Sequence, residues 1–351
     1  MAGLTSSGAR ENMPSRMNPT HRFAAALFVS LAASAVGQAD PSAGYLLVAN
    51  KGDATLSIVD VDKGQQVAAV KEDGITGHEV VASADGRLAY VPIYGSSGVG
   101  MPGTDGQNLV VIDIAAQKVM GSVDFGRGVR PHMPLLGPKD HLLYVTTELD
   151  NAVTLIDPKT LRIVGTIPTG AAQSHMLALS HDGLRGYTSN VVPGSVSVLD
   201  IAARKTIAVI PVSPNAQRIS ISNDDHWVFT SDETKPRLAV IDTTTNKLKS
   251  WIPLEGTGYG SAPTPDGRWL LLAIPGKDNV AVIDLDTMQV ARSVAVGKSP
   301  QEILVRPDGK VAYVSCIGSD QVAEIDLASW KVTRFIATGK GTDGLAWAAA
   351  H

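Results

Sequence analysis

Three histidines, His78, His132 and His175, stand 54 and 43 residues apart, and the series continues through Gln217, Tyr259, Gln301 and Asp343 at steps of 42. Every one of these seven side chains can take part in a hydrogen bond. Three imidazoles and a carboxylate also form a donor set suited to a divalent metal such as Zn or Cu, so His78, His132, His175 and Asp343 are candidate metal ligands. Glu79 and Glu302 follow two of the seven positions and could accept from the rings of ligating residues. Arg130 and Arg218 neighbour the series and could hold an anionic ligand in a bidentate manner, or serve as ordinary salt-bridge residues. The plain alternative for the whole set is a solvated polar collar that only satisfies loop backbone groups. The spacing matches no local metal motif, so everything rests on whether the fold brings these positions together.

The fold implied by the chain does so. An aspartate closes a short apolar run at Asp60, Asp113, Asp157, Asp200, Asp242, Asp284 and Asp326, at intervals of 53, 44, 43, 42, 42 and 42 residues. A period in the low forties with several short strands per unit predicts a β-propeller, and seven copies set seven blades of four antiparallel strands. Within a unit, strands rich in Val, Ile and Leu are separated by turns such as Asp182-Gly183 and Asp266-Gly267. Seven equivalent aspartates cannot all be catalytic; a short carboxylate after a strand accepts from the backbone of the next turn. The chain opens on what matches strand two, Tyr45 to Asn50, and ends on what matches strand one, Asp343 to Ala350. The last blade should therefore be closed by both termini, with one C-terminal strand and three N-terminal ones.

Counted in this register, the seven polar positions begin the innermost strands and should ring the mouth of the central channel. One break in register falls on the same face. Residues 95–107, rich in glycine, are inserted between strands two and three of the first blade and should rise beside His78 and His132. Such a loop can carry function or be a mobile excursion. As an excursion, it would leave stability nearly unchanged if replaced by a short turn.

Tyr144-Val145-Thr146-Thr147, Tyr187-Thr188-Ser189-Asn190 and Tyr313-Val314-Ser315, with the Asp-Gly turns and Ile-Asp endings, resemble the signature of the YVTN β-propeller repeat family. The resemblance covers residues 44–350 and looks like its exported, YncE-like branch. It implies a fold related to seven-bladed lactonases and quinoprotein dehydrogenase propellers, and that fold hosts binding proteins and enzymes alike.

Composition narrows the partners. Of 351 residues, 44% are hydrophobic and 18% charged, as in a globular chain. Arg16, His21 and Arg22 precede an apolar stretch from Phe23 to Ala35 followed by small residues, the order of a secretory signal peptide. An uncleaved anchor is the alternative, and translation starting at Met13 or Met17 would shorten the leader. Residues 1–39 are read as leader and signal and residues 40–351 as one propeller domain, periplasmic or secreted. Without Arg10, Arg16, Arg22 and Glu11 the mature chain carries 27 basic and 33 acidic residues, a net charge of −6. An acidic domain without a basic run disfavours nucleic acid as partner. No membrane span is expected in the mature chain, and a monomer is expected. The single cysteine, Cys316, excludes an intrachain disulfide and a Cys-x-x-Cys-His haem attachment.

Three functions stay open on these grounds. The first is an exported binding or interaction protein that engages a small ligand or protein partner at the channel mouth. The second is a lactonase-like or metal-dependent hydrolase at the same place. The third is a periplasmic metal-handling or redox accessory protein.

Overall fold

The computed structural model describes residues 43–96 and 98–350, so the leader, the signal and their cleavage site lie outside the described residues. Seven four-stranded antiparallel sheets form the blades. Blade 2 is typical, with strands Pro131–Leu136, Leu143–Thr147, Ala152–Asp157 and Arg162–Pro168 running from the channel outwards. Blade 1 starts at Val81–Ala82, and blades 3 to 6 start at Ser174–Leu179, Ala216–Ile221, Ser261–Pro263 and Pro300–Val305. Blade 7 pairs the C-terminal Thr342–Ala349 with the N-terminal Gly44–Asn50, as the strand count at the two ends requires. Among the described residues no helix is long and apolar enough to cross a membrane.

The pattern of burial follows from position in the blade. Middle strands are covered on both faces, and Leu143–Thr147 is buried at every residue. Outer strands alternate and leave residues such as Phe335 and Val164 exposed. The core lies between neighbouring sheets. Leu47, Leu56 and Ile58 of blade 7, for example, pack with Val91, Val110 and Ile112 of blade 1. Each such side chain contributes about 1.5–3 kcal/mol when removed from water.

All seven recurrent aspartates accept backbone N–H groups of the turn that follows, from Lys63 onto Asp60 at 3.0 Å to Ser329 onto Asp326 at 2.7 Å. Gly183 and Gly267 turn between strands one and two with φ of 69° and 71°, where a side chain would be strained.

One local irregularity shapes the site. Innermost strands slip register at the ring position or just after it, at His175 between Ser174 and Met176 in blade 3 and at Arg218 between Gln217 and Ile219 in blade 4. A bulge of this kind bends the strand and re-aims a side chain. Arg218, the bulged residue of blade 4, sits at φ 53°. Strand-two hydroxyls hold these bulges. Thr230 Oγ1 donates to the Arg218 carbonyl at 2.8 Å, and Thr146 Oγ1 donates to the His175 carbonyl at 2.7 Å.

Candidate functional site

At the channel mouth lies an open cavity of about 260 Å³ lined by His78, His132, His175, Gln217, Tyr259 and Asp343, six of the seven ring positions. Gln301 is not part of this lining, and its amide nitrogen turns back to the Ser299 carbonyl at 3.3 Å. Lys51, Tyr94, Val191, Val192, Asn215, Arg218, Glu233 and the inserted Gly98 and Val99 complete the wall.

The histidines stack rather than converge. The rings of His132 and His175 lie 3.6 Å apart at 30°, and His78 meets His132 edge-on at 5.4 Å. Tyr94 fits among them, 4.8 Å from His78 and 5.2 Å from His132. Burial, the largest influence, pushes all three imidazoles below their usual pKa and keeps them neutral. His132 Nδ1 is enclosed without a hydrogen-bond partner.

The expected metal set is corrected here. Among the described residues no group of three or more His, Cys, Asp or Glu side chains is arranged to hold a metal ion. The reason is geometric: stacked ring faces do not aim lone pairs at one point, and the Asp343 carboxylate faces Arg218 at 3.2 Å.

Neither arginine is free for an anionic ligand. The bulge sends Arg218 across the channel to Glu79 at 2.6 Å, Glu302 at 2.6 Å and Asp343 at 3.2 Å, with its guanidinium over the Tyr259 ring. Glu79 and Glu302 thus act on Arg218, not on ligating histidines. Arg130 is consumed by the insertion. It donates to Asp105 at 2.6 Å, to the Met101 carbonyl at 2.7 Å and to the Gly98 carbonyl at 3.3 Å, and it meets Glu148 at 3.3 Å.

Glu148 joins that clamp to the ring. It accepts from the Tyr94 hydroxyl at 2.5 Å and lies 3.3 Å from His175 Nδ1. Burial raises its pKa, but the hydrogen bonds of His175 and Tyr94 outweigh this and hold it low. The loop is therefore no loose excursion. Replacing residues 96–106 by a short turn should lower stability by about 1–3 kcal/mol, because buried Arg130 loses three partners. An unchanged denaturation midpoint would show that these contacts carry no energy.

The carboxylates around Arg218 add a pH dependence. Burial pushes Glu79 up to about 8, with Glu302 and Asp343 adding repulsion and Arg218 opposing it, and Glu302 is raised for the same reason. The native state then holds protons that the unfolded chain has released, so stability falls as pH rises through the folded pKa. The neutral histidines act in the opposite direction, but only below their unfolded value of 6.5. Between about pH 6.5 and 8 the Glu79 proton lowers stability by about 2 kcal/mol. Thermal unfolding of Glu79→Gln should be flatter over this window than that of wild type, and an equal slope would place the proton elsewhere.

Tyr94, Lys51 and Asn215 were not among the residues expected to form the site, and Glu148 and Glu233, on loops of the same face, join them there. Four of them share a register of their own. Lys51, Tyr94, Glu148, Val191, Glu233, Pro275 and Ile317 each follow the end of strand two, at intervals of 43, 54, 43, 42, 42 and 42. The same repeat that located the first ring contains this second one.

Comparison with known proteins identifies the architecture. A family model described as the Cytochrome D1 heme domain matches residues 136–264, less than half of the chain. No curated protein matches. Among solved structures, the chain is similar to Kuenenia stuttgartiensis hydrazine synthase with a TM-score of 0.72 at 20% identity, over 83% of this chain and 94% of that one. It is similar to dihydro-heme d1 dehydrogenase NirN in complex with DHE, with a TM-score of 0.61 at 17% identity, over 88% and 76%. A protein of unknown function from Desulfotomaculum acetoxidans gives a TM-score of 0.73 at 13% identity, over 88% and 100%. At these identities the likeness is one of fold: the chain is a seven-bladed β-propeller.

Proposed function

We propose that this chain is an exported, periplasmic or secreted binding protein whose channel-mouth cavity engages a small ligand, with residues 1–39 as leader and residues 40–351 as the binding domain. The observation that carries this reading is the cavity of about 260 Å³ at the channel mouth, lined by six of the seven ring positions together with Lys51, Tyr94, Arg218 and Glu233.

The family match raises a haem as a candidate ligand. The residues present do not fit one. The cavity falls below the roughly 300 Å³ at which ligand sites commonly begin, and a tetrapyrrole needs more. Arg130 and Arg218, the cations that would meet its acidic substituents, are tied to carboxylates. A hydrolase is the second reading, favoured by the Glu148–His175 pair, in which a carboxylate orients an imidazole at the cavity wall.

The test is ligand-observed NMR of the full chain against a library of small polar metabolites, repeated on Val192→Trp at the exposed cavity rim. Ligands should bind wild type and be excluded by the variant. A library with no such ligand would sink the reading. Turnover of lactones or esters by wild type, lost in His175→Ala, would move the assignment to the hydrolase.

A further inference from the structure

We propose that the cavity takes a short-chain aliphatic monocarboxylate, its carboxylate on the Lys51 ammonium and its alkyl chain on Val99, Val191 and Val192, an inference that rests on the ligand-binding reading above. Lys51 is the first ground. It follows strand Gly44–Asn50 of blade 7, and its backbone is pinned on both sides. Its N–H donates to the Gly341 carbonyl at 2.9 Å, and its carbonyl accepts from Thr76 Oγ1 at 2.8 Å. The side chain above this anchor lines the cavity and is 43% exposed. Its ion-pair partner among the described residues is Asp343, at 3.9 Å, and that carboxylate already meets Arg218 at 3.2 Å. So long and solvated a pair is worth little, and the ammonium keeps donors for a guest. Arg218, the other cation of this wall, is shared by three carboxylates. One available cation suits one carboxylate.

The acids nearby oppose an anion less than their number suggests. Burial raises Glu79 to about 8 and raises Glu302 and Glu233 as well, so near pH 7 protons neutralise part of this charge. The second, independent ground is the apolar arc across the mouth. Val191 and Val192 follow strand Arg185–Asn190 of blade 3, as far from blade 7 as a seven-bladed ring allows. The insertion brings Val99 to the same wall. A Cβ on the next residue, Gly100, would collide with Gln173, whose Oε1 accepts the Val192 N–H at 3.0 Å. The insertion therefore abuts the loop that carries Val192, a side chain 60% exposed at the rim. With a cation at one wall and bare hydrocarbon at the other, the cavity matches a guest that is a carboxylate at one end and aliphatic at the other.

The probes are butyrate, acetate, butyramide, butylamine and inorganic phosphate, titrated into the full chain by calorimetry at pH 7. Butyrate should bind most tightly, and acetate, shorter by two methylenes, about tenfold more weakly. Lys51→Met should weaken butyrate about tenfold, the scale of losing a hydrogen bond to a charged group, and Lys51→Arg should restore most of it. Val192→Thr, equal in shape, should weaken butyrate and leave acetate unchanged. Lys51 and Val192 are exposed side chains, so these variants should melt as wild type does. Butyramide or butylamine binding as tightly as butyrate overturns the carboxylate, and phosphate doing so overturns the alkyl chain. Butyrate binding unchanged in Lys51→Met overturns the assignment outright. If no probe binds, yet the metabolite library yields a ligand that Val192→Trp excludes, the carboxylate assignment falls and the ligand site stands.

Discussion

Arg218→Met is expected to lower stability by about 3–5 kcal/mol at pH 8, the scale of breaking a buried ion pair from one side. The guanidinium is the bridging cation between blades 1, 4, 6 and 7, through Glu79, Glu302 and Asp343. Methionine keeps an unbranched side chain, and like arginine it must occupy φ 53°, so backbone strain is nearly the same in both proteins. What changes is that three carboxylates face one another without a counter-charge. They escape by binding protons, so the loss should shrink towards pH 5, where protonation is cheap. Adding Glu79→Gln and Glu302→Gln to Arg218→Met should recover much of the stability at pH 8. Equal losses at pH 5 and pH 8, measured by denaturant titration, would show that the effect is packing against Tyr259 and not charge.

How far the sequence reaches depends on what the repeat encodes. Blade number, the order of strands and the closure by both termini were all legible, because each follows from hydrophobic runs and turn residues recurring at one interval. The aspartates' turn-capping role was legible for the same reason, since a role repeated seven times is structural. The ring of polar positions was legible as positions but not as contacts. Nothing in the residue types announces that the inner strands bulge after Gln217, and only the bulge turns Arg218 into the channel. Arg130 and Glu148 illustrate the same limit. Their pairing joins residues 18 apart, and the loop that locks Arg130 is the one segment outside the repeat. Side-chain direction at an irregular position is set by tertiary packing, which a periodic signal does not carry. Stacking of His132 on His175, which undoes the expected metal set, belongs to this class.

Removing residues 341–351 should have the largest effect of any change considered, because it takes away the innermost strand of blade 7. Thr342–Ala349 supplies the pairing partner of Gly44–Asn50 on its channel side. With it go buried Leu345, Ala346 and Ala348, the stacking of Trp347 on Tyr313, and Asp343 from the Arg218 cluster. Two cross-links between neighbouring segments also disappear, from Lys51 N–H to the Gly341 carbonyl at 2.9 Å and from Gly344 N–H to the His78 carbonyl at 2.9 Å. Buried apolar side chains at about 1.5–3 kcal/mol each, plus these polar contacts, approach the 5–15 kcal/mol that is the whole stability of a typical domain. The ring would also be left open, with Leu46 to Asn50 presenting an unpaired apolar edge that invites association. The truncated chain should therefore show no cooperative thermal transition or should aggregate. A peptide spanning residues 340–351, added in excess, should restore a concentration-dependent transition by supplying the missing strand in trans. A truncated protein that melts cooperatively at the wild-type temperature would mean that the other six blades hold the ring closed without this strand.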